Sequence, residues 1–127
     1  MGIALSFLDV HVNRSPIAGR VVSSHHHRGA FRSLKQPESL LENERATTII
    51  ERDGRQLAVV LIASRLVRRI VSFVRAGDAV AAGQRIGAIR FGSQVDLVLP
   101  AEWATELRVA VGERVTAGGS IVAVVPP

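Results

Sequence analysis

Few residues of this chain have side chains or positions suited to catalysis. The first candidates are the Gly-Ser pair at positions 92 and 93. Ser93 carries a hydroxyl next to the carbonyl of Gly92, and glycine leaves that carbonyl uncrowded and the turn free to strain. Asp9 and His11 are two positions apart, so on an extended strand their side chains point to the same face. The carboxylate could then orient or charge-stabilise an imidazole that transfers protons near neutral pH.

A second group of histidines is the run His25, His26 and His27. Consecutive residues of a strand point to alternate faces, so three in a row make a poor three-ligand metal site. We therefore expect surface histidines and no metal. The chain has no cysteine, which excludes disulfides, thiolate zinc sites and cysteine nucleophiles.

The composition is that of one globular domain with a basic surface. The chain has 127 residues, 47% hydrophobic and 21% charged, and a net charge of +5. Residues 10–37 hold five basic residues and all four histidines with no acid, and residues 54–77 hold five arginines with no acid. Such patches suit anionic lipid headgroups, phosphates or nucleic acid. Because aromatic residues are few and no nucleic-acid motif is present, nucleic acid is not an expected partner.

The elements that position these residues are predicted to be strands, because apolar residues alternate or form short runs broken by glycine. Residues 28–44 are polar and irregular, which predicts a long surface loop, and residues 64–70 could form a helical turn. The sequence therefore predicts an all-β fold. The expected strands are Val10–Val12, Ile17–Ser23, Thr47–Glu51, Leu57–Ile62, Arg69–Val74, Arg85–Phe91, Val95–Leu99, Glu106–Val111 and Ser120–Val124.

An internal repeat relates residues 74–89 to residues 109–124. Both copies follow the pattern V-x-x-G-[DE]-x-V-x-x-G-x-x-I, which predicts two strands joined through glycine turns. Two such copies resemble the flattened barrel-sandwich of biotinyl and lipoyl carrier domains. Carriers present an acceptor lysine at a hairpin tip, whereas the only lysine here, Lys35, lies outside both copies. A carrier function is therefore not expected.

Four segments in order carry a resemblance to one enzyme family. They are residues 7–19 (FLDVHVNRSPIAG), 42–45 (ENER), 62–70 (IASRLVRRI) and 87–100 (GAIRFGSQVDLVLP). Together they resemble the phosphatidylserine decarboxylases, particularly the short proenzymes of archaea and many bacteria, over essentially the whole chain.

The resemblance implies a pyruvoyl-dependent lyase that matures by cutting itself. The Ser93 hydroxyl would attack the Gly92 carbonyl, and elimination from the resulting ester would leave a β chain, residues 1–92, and an α chain, residues 93–127, within a single domain. The cofactor would be a pyruvoyl group derived from Ser93, with no metal. His11 would protonate the decarboxylated intermediate with Asp9 beside it as phosphatidylserine becomes phosphatidylethanolamine.

The resemblance also implies partners and a location. The substrate would be an anionic phospholipid at the cytoplasmic side of the cell membrane, where the protein would sit peripherally. Arg68, Arg69 and Asn43 are candidate substrate-binding residues. The α and β chains would stay together, and assembly of several copies is left open.

The chain departs from the family in ways that favour slow or absent maturation. Arg14 stands where the commoner bacterial decarboxylases carry a second histidine, and Phe7 replaces a usual proline. Family members also have several tens of residues before this point. Two alternatives therefore stay open: a truncated or non-catalytic relative that remains uncleaved, and a β-barrel binding module for an anionic partner.

Overall fold

A computed structural model describes residues 1–5, 12–29, 43–63, 70–89, 93–103 and 106–125. Within these ranges the chain is built of strands and a single 3₁₀ turn, Ala101–Trp103, so the predicted all-β class is confirmed. In the same ranges there is no helix of the length and apolarity needed to cross a membrane. The strands are β1 (Gly2–Leu5), β2 (Val12–Arg14), β3 (Gly19–His27), β4 (Arg45–Arg52), β5 (Arg55–Ile62), β6 (Ile70–Ser72), β7 (Ala79–Val80), β8 (Arg85–Ile89), β9 (Ser93–Val98), β10 (Glu106–Leu107) and β11 (Ala123–Val124).

The larger sheet has six strands in the order β1-β9-β5-β4-β3-β7, with every neighbouring pair antiparallel. Along β4 the residues Ala46, Thr48 and Ile50 are buried, and the residues between them are half-buried. This alternation places one face of the strand on the core. The β4–β5 hairpin turns at Asp53-Gly54, both with positive φ (52° and 74°), as the tight hairpin turns with the twist of the strands require.

A second sheet of three antiparallel strands, in the order β2-β8-β6, shares the core of the first. Ile86 and Ile89 of β8 belong to the same buried cluster as Ile50 and Leu57 of the larger sheet. Trp103 in the 3₁₀ turn is 1% exposed and belongs to this cluster too. One core therefore fixes the two sheets relative to each other.

The two glycine-turn copies are confirmed by the backbone. Gly77 and Gly83 in the first copy, and Gly112 and Gly118 in the second, all have positive φ between 75° and 97°. The copies differ in burial, because Ile86 is 3% exposed whereas its counterpart Ile121 is 69% exposed. The reason is pairing: β8 lies between two strands, whereas β11 pairs only with β10 in the described structure.

Several predicted boundaries were wrong. β3 runs on through His27 because its register with β4 continues past a bulge, and β1 and β7 were not predicted. The expected strands Glu106–Val111 and Ser120–Val124 shrink to Glu106–Leu107 and Ala123–Val124, because Val111 begins a turn and residues 108–110 and 120–122 are irregular. Residues 30–42 of the predicted loop and residues 64–69 of the predicted helical turn lie outside the described residues.

Candidate active site

The candidate site lies where five strands of the larger sheet begin or end together. Across the sheet, β9 begins at Ser93 beside the end of β1, and β5 ends at Ile62 beside the start of β4. The cross-strand pairs Ala4–Gln94, Gln94–Ile62 and Ile62–Arg45 form one continuous row. Ser93 lies at the same end of the sheet, one residue before Gln94 of this row.

Strand ends of the smaller sheet are joined to this region by a short chain connection. β8 ends at Ile89, which pairs with Ile70 at the start of β6, and β2 begins at Val12, which pairs with Ala88. Only three residues connect Ile89 to Ser93, so their Cα atoms are at most about 14 Å apart. The two sheets thus bring their ends to one region.

This region is where the segments with the predicted catalytic residues join the described strands. Asp9 and His11 precede β2, and Gly92 precedes β9. All three lie outside the described residues, as do Arg68 and Arg69, which directly precede β6. Their roles remain predictions. The described strand ends that follow these segments lie beside one another.

Ser93 is the first residue of β9, and its backbone pairs with that of Leu5 on β1. Beyond it, β9 pairs with β1 on one side and with β5 on the other, through Gln94 and Asp96 among others. The Gln94 amide also donates a 2.7 Å hydrogen bond to the Asp96 carboxylate along the strand. A chain that began at residue 93 would therefore keep its first strand paired with a neighbouring strand on each side.

Asn43 is 2% exposed, and its amide donates a 2.7 Å hydrogen bond to the carbonyl of Ala63, the residue after β5. The backbone N–H of Ala63 in turn donates to the carbonyl of Glu44 at 2.9 Å. These two bonds hold the end of β5 against the start of β4. They give Asn43 a positioning role at the site, whereas its contact with a substrate remains a prediction.

Arg45, which the sequence did not single out, begins β4 in the same row as Ile62 and Gln94. Its Nε donates to the Asn43 carbonyl at 3.2 Å. Its Nη2 is buried, and it has no hydrogen-bond partner among the described residues. The signal in the sequence was only its place in the ENER segment, because nothing distinguishes it there from the other arginines.

The Arg14 side chain forms its hydrogen bond away from the strand ends of the candidate site. Its Nη1 donates a 2.8 Å hydrogen bond to the Gly83 carbonyl, and a Cβ at Gly118 would lie 3.3 Å from its Cδ. The side chain thus binds the second glycine of the first repeat copy and lies close to the second glycine of the other. A guanidinium cannot accept a proton, so position 14 supplies no base.

The three consecutive histidines alternate in direction, as predicted. The rings of His25 and His27 meet edge to face with centroids 4.2 Å apart, while His26 Nε2 lies 3.2 Å from Glu44 Oε2. All three are exposed, which confirms surface histidines. In the part of the chain that the structure describes, no three His, Cys, Asp or Glu residues cluster as metal ligands would.

With this geometry in place, comparison with known proteins defines the class. The family model of phosphatidylserine decarboxylase matches residues 1–123, and the chain belongs to that family. The predicted resemblance is therefore confirmed.

Named relatives agree with the family match. The chain is 46% identical over 124 residues to the phosphatidylserine decarboxylase proenzyme of Novosphingobium aromaticivorans, covering 97% of this chain and 48% of the relative. It is 39% identical over 127 residues to that of Geobacter sulfurreducens, covering 99% and 57%. Identity to the proenzyme of Nocardia farcinica is 44% over 124 residues, covering 97% and 52%. The chain thus spans about half the length of these relatives, and no solved structure matches it.

Proposed function

We propose that this chain is the catalytic domain, residues 1–127, of a pyruvoyl-dependent phosphatidylserine decarboxylase. It would cut itself between Gly92 and Ser93, giving chains 1–92 and 93–127, and convert phosphatidylserine to phosphatidylethanolamine. The observation that carries the proposal is the meeting of strand ends. Segments that resemble the family adjoin these strand ends: the end of β8, the starts of β2, β6 and β9, and the place where β5 ends beside the start of β4.

A pyruvoyl group derived from residue 93 fits this arrangement. It would be the N-terminal group of β9, a strand paired on both sides, so its position would be fixed by β1 and β5 after the cut. Such a group supplies an electrophilic carbonyl that withdraws electrons from a bound amine. The chain itself would supply the rigid strand end and the uncrowded carbonyl of Gly92 before cleavage.

His11 would donate the proton that the decarboxylated intermediate takes up. A histidine matches this task because its pKa is normally near neutrality, and Asp9, two residues earlier, would orient it if the segment is extended. Arg14 is bonded to the Gly83 carbonyl and cannot serve as a base, so His11 is also the residue proposed to activate Ser93 for cleavage.

The proposed place of action is the cytoplasmic surface of the membrane. Residues 54–77 contain five arginines and no acid, a charge distribution that attracts anionic headgroups. Arg68 and Arg69 would contact lipid phosphate there. Both the α and the β chain would remain in the working enzyme.

The test measures phosphatidylethanolamine formed from phosphatidylserine in mixed micelles, with the N-terminal portion of a full-length relative present and self-cleavage scored separately on a denaturing gel. We expect His11→Ala to slow self-cleavage and, per cleaved chain, to lower turnover by about 10²- to 10⁴-fold, the usual loss for a missing general acid. His25→Ala, which removes an exposed ring that meets His27 edge to face, is the matched control and should keep full turnover. A fully active His11→Ala chain would remove His11 from the mechanism. A wild-type chain that neither cleaves nor turns over, even with the N-terminal portion of a full-length relative added, would favour the non-catalytic relative.

A further inference from the structure

The buried Nη2 of Arg45 is a cationic donor that has no hydrogen-bond partner among the described residues. Taking a guanidinium N–H out of water without a hydrogen bond is unfavourable, so folded proteins rarely leave one unpaired. Within the described residues no carboxylate pairs with Arg45, because the neighbouring Glu44 lies 3.2 Å from His26 instead. The donor is therefore available to an anion that is not part of the described chain.

The side chain that carries this donor is held in place. Its Nε is bonded to the Asn43 carbonyl, and the Asn43 amide is bonded in turn to the Ala63 carbonyl. Arg45 is thus anchored through two hydrogen bonds to the end of β5. A fixed guanidinium loses little freedom when an anion binds.

Its position places it within range of the reaction proposed above. Arg45 and Gln94 are separated by two strand steps through Ile62, about 10 Å between Cα atoms, and Gln94 directly follows Ser93. A long arginine side chain and a serine headgroup attached at residue 93 can together bridge such a separation.

We propose that Arg45 binds the phosphodiester of the serine headgroup, an inference that rests on the proposed function. A guanidinium fork matches the tetrahedral oxygens of a phosphate and binds them in two parallel hydrogen bonds. The substrate carboxylate is the poorer partner, because a cation that held its charge would stabilise the ground state that decarboxylation must leave. Arg45 is then a specificity-determining residue that distinguishes a phospholipid headgroup from free serine.

The experiment uses the full chain with Ser93→Ala, so that binding is measured without cleavage or turnover. Calorimetric titrations compare glycerophosphoserine, L-serine and inorganic phosphate. We expect Arg45→Gln to weaken glycerophosphoserine binding about 10- to 100-fold, the effect of losing a charged hydrogen bond, and to leave L-serine binding unchanged. The matched control is Arg20→Gln. Arg20 is exposed and lies near the start of β3, whereas the end of β3 pairs with Arg45, so this variant should bind as the Ser93→Ala chain does.

Other outcomes overturn the proposal. Equal weakening for glycerophosphoserine and L-serine would assign Arg45 to the carboxylate, and unchanged glycerophosphoserine binding would assign it to neither. Inorganic phosphate bound as tightly as glycerophosphoserine would make this a free-phosphate site. If Arg45→Gln does not fold by circular dichroism, Arg45→Lys replaces it: that variant keeps the charge and loses the fork, and unweakened binding would likewise overturn the proposal. Because cleavage is never required, failure here is distinct from failure of the decarboxylase proposal.

Discussion

Asn43 donates its amide hydrogen bond to the carbonyl of Ala63 from a position that is 2% exposed. We predict that Asn43→Ala lowers the free energy of unfolding by about 1–3 kcal/mol, because a buried carbonyl loses its partner. Ser24→Ala, which removes an exposed hydroxyl pair with Ser72, should change it by less than about 0.5 kcal/mol. Urea unfolding of both variants measures the difference, and equal effects would contradict the positioning role.

The sequence identified Asn43 through its segment but not its contact. Asn43 and Ala63 are 20 residues apart, and only the β4–β5 hairpin brings them together. Arg45 was missed because its burial and its lone Nη2 depend on tertiary packing, which residue type alone does not reveal. The resemblance of their segments to the family implied Asp9, His11 and Ser93 as candidates, and their roles remain predictions.

At the scale of elements, the repeat makes the sharpest stability prediction. Gly77 has φ 97°, a conformation that costs a residue with a Cβ about 1–2 kcal/mol, although a Cβ there would meet no atom within 4 Å. Gly77→Ala should therefore destabilise the chain by that amount, whereas Gly119→Ala, which is not among the positive-φ glycines, should change stability little. Thermal unfolding of the two variants decides, and a neutral Gly77→Ala would contradict the turn geometry.

The alternation of apolar residues predicted β4, β5, β8 and β9 to within a few residues, because each presents at least one face to the core. It missed β1 and β7, which have four and two residues. Strands this short carry too little pattern, and their existence depends on pairing with β9 and β3. The second glycine copy was predicted as long strands, but only the ends of that hairpin pair.

At the scale of the whole molecule, β9 joins the two products of the proposed cut. It contributes an inner strand to the six-stranded sheet, between β1 and β5, although it would belong to the shorter chain. We predict that chains 1–92 and 93–127 elute together from size-exclusion chromatography after cleavage and separate only in denaturant. Separation in native buffer would contradict the pairing of β9 with both neighbours.

The arrangement of the whole could be anticipated only in part. The four family-like segments were visible in order along the chain, and the all-β class followed from the alternation of apolar residues in short runs broken by glycine. Their convergence was not visible, because it requires β8 and β9 to lie in different sheets that share one core. Long-range pairing of this kind is set by the fold as a whole rather than by any segment.

We propose that the chemistry is encoded at the Gly92–Ser93 bond, and intact-mass analysis over several days measures the cut. The purified chain is incubated alone and with the N-terminal portion of a full-length relative, with Ser93→Ala treated in parallel. We predict little conversion alone and, in the mixture, a fragment 93–127 lighter by one ammonia than a serine-ended peptide and reactive toward a hydrazine. Ser93→Ala should stay intact throughout. An uncut chain in both conditions, or a cut that Ser93→Ala also undergoes, would contradict the proposal.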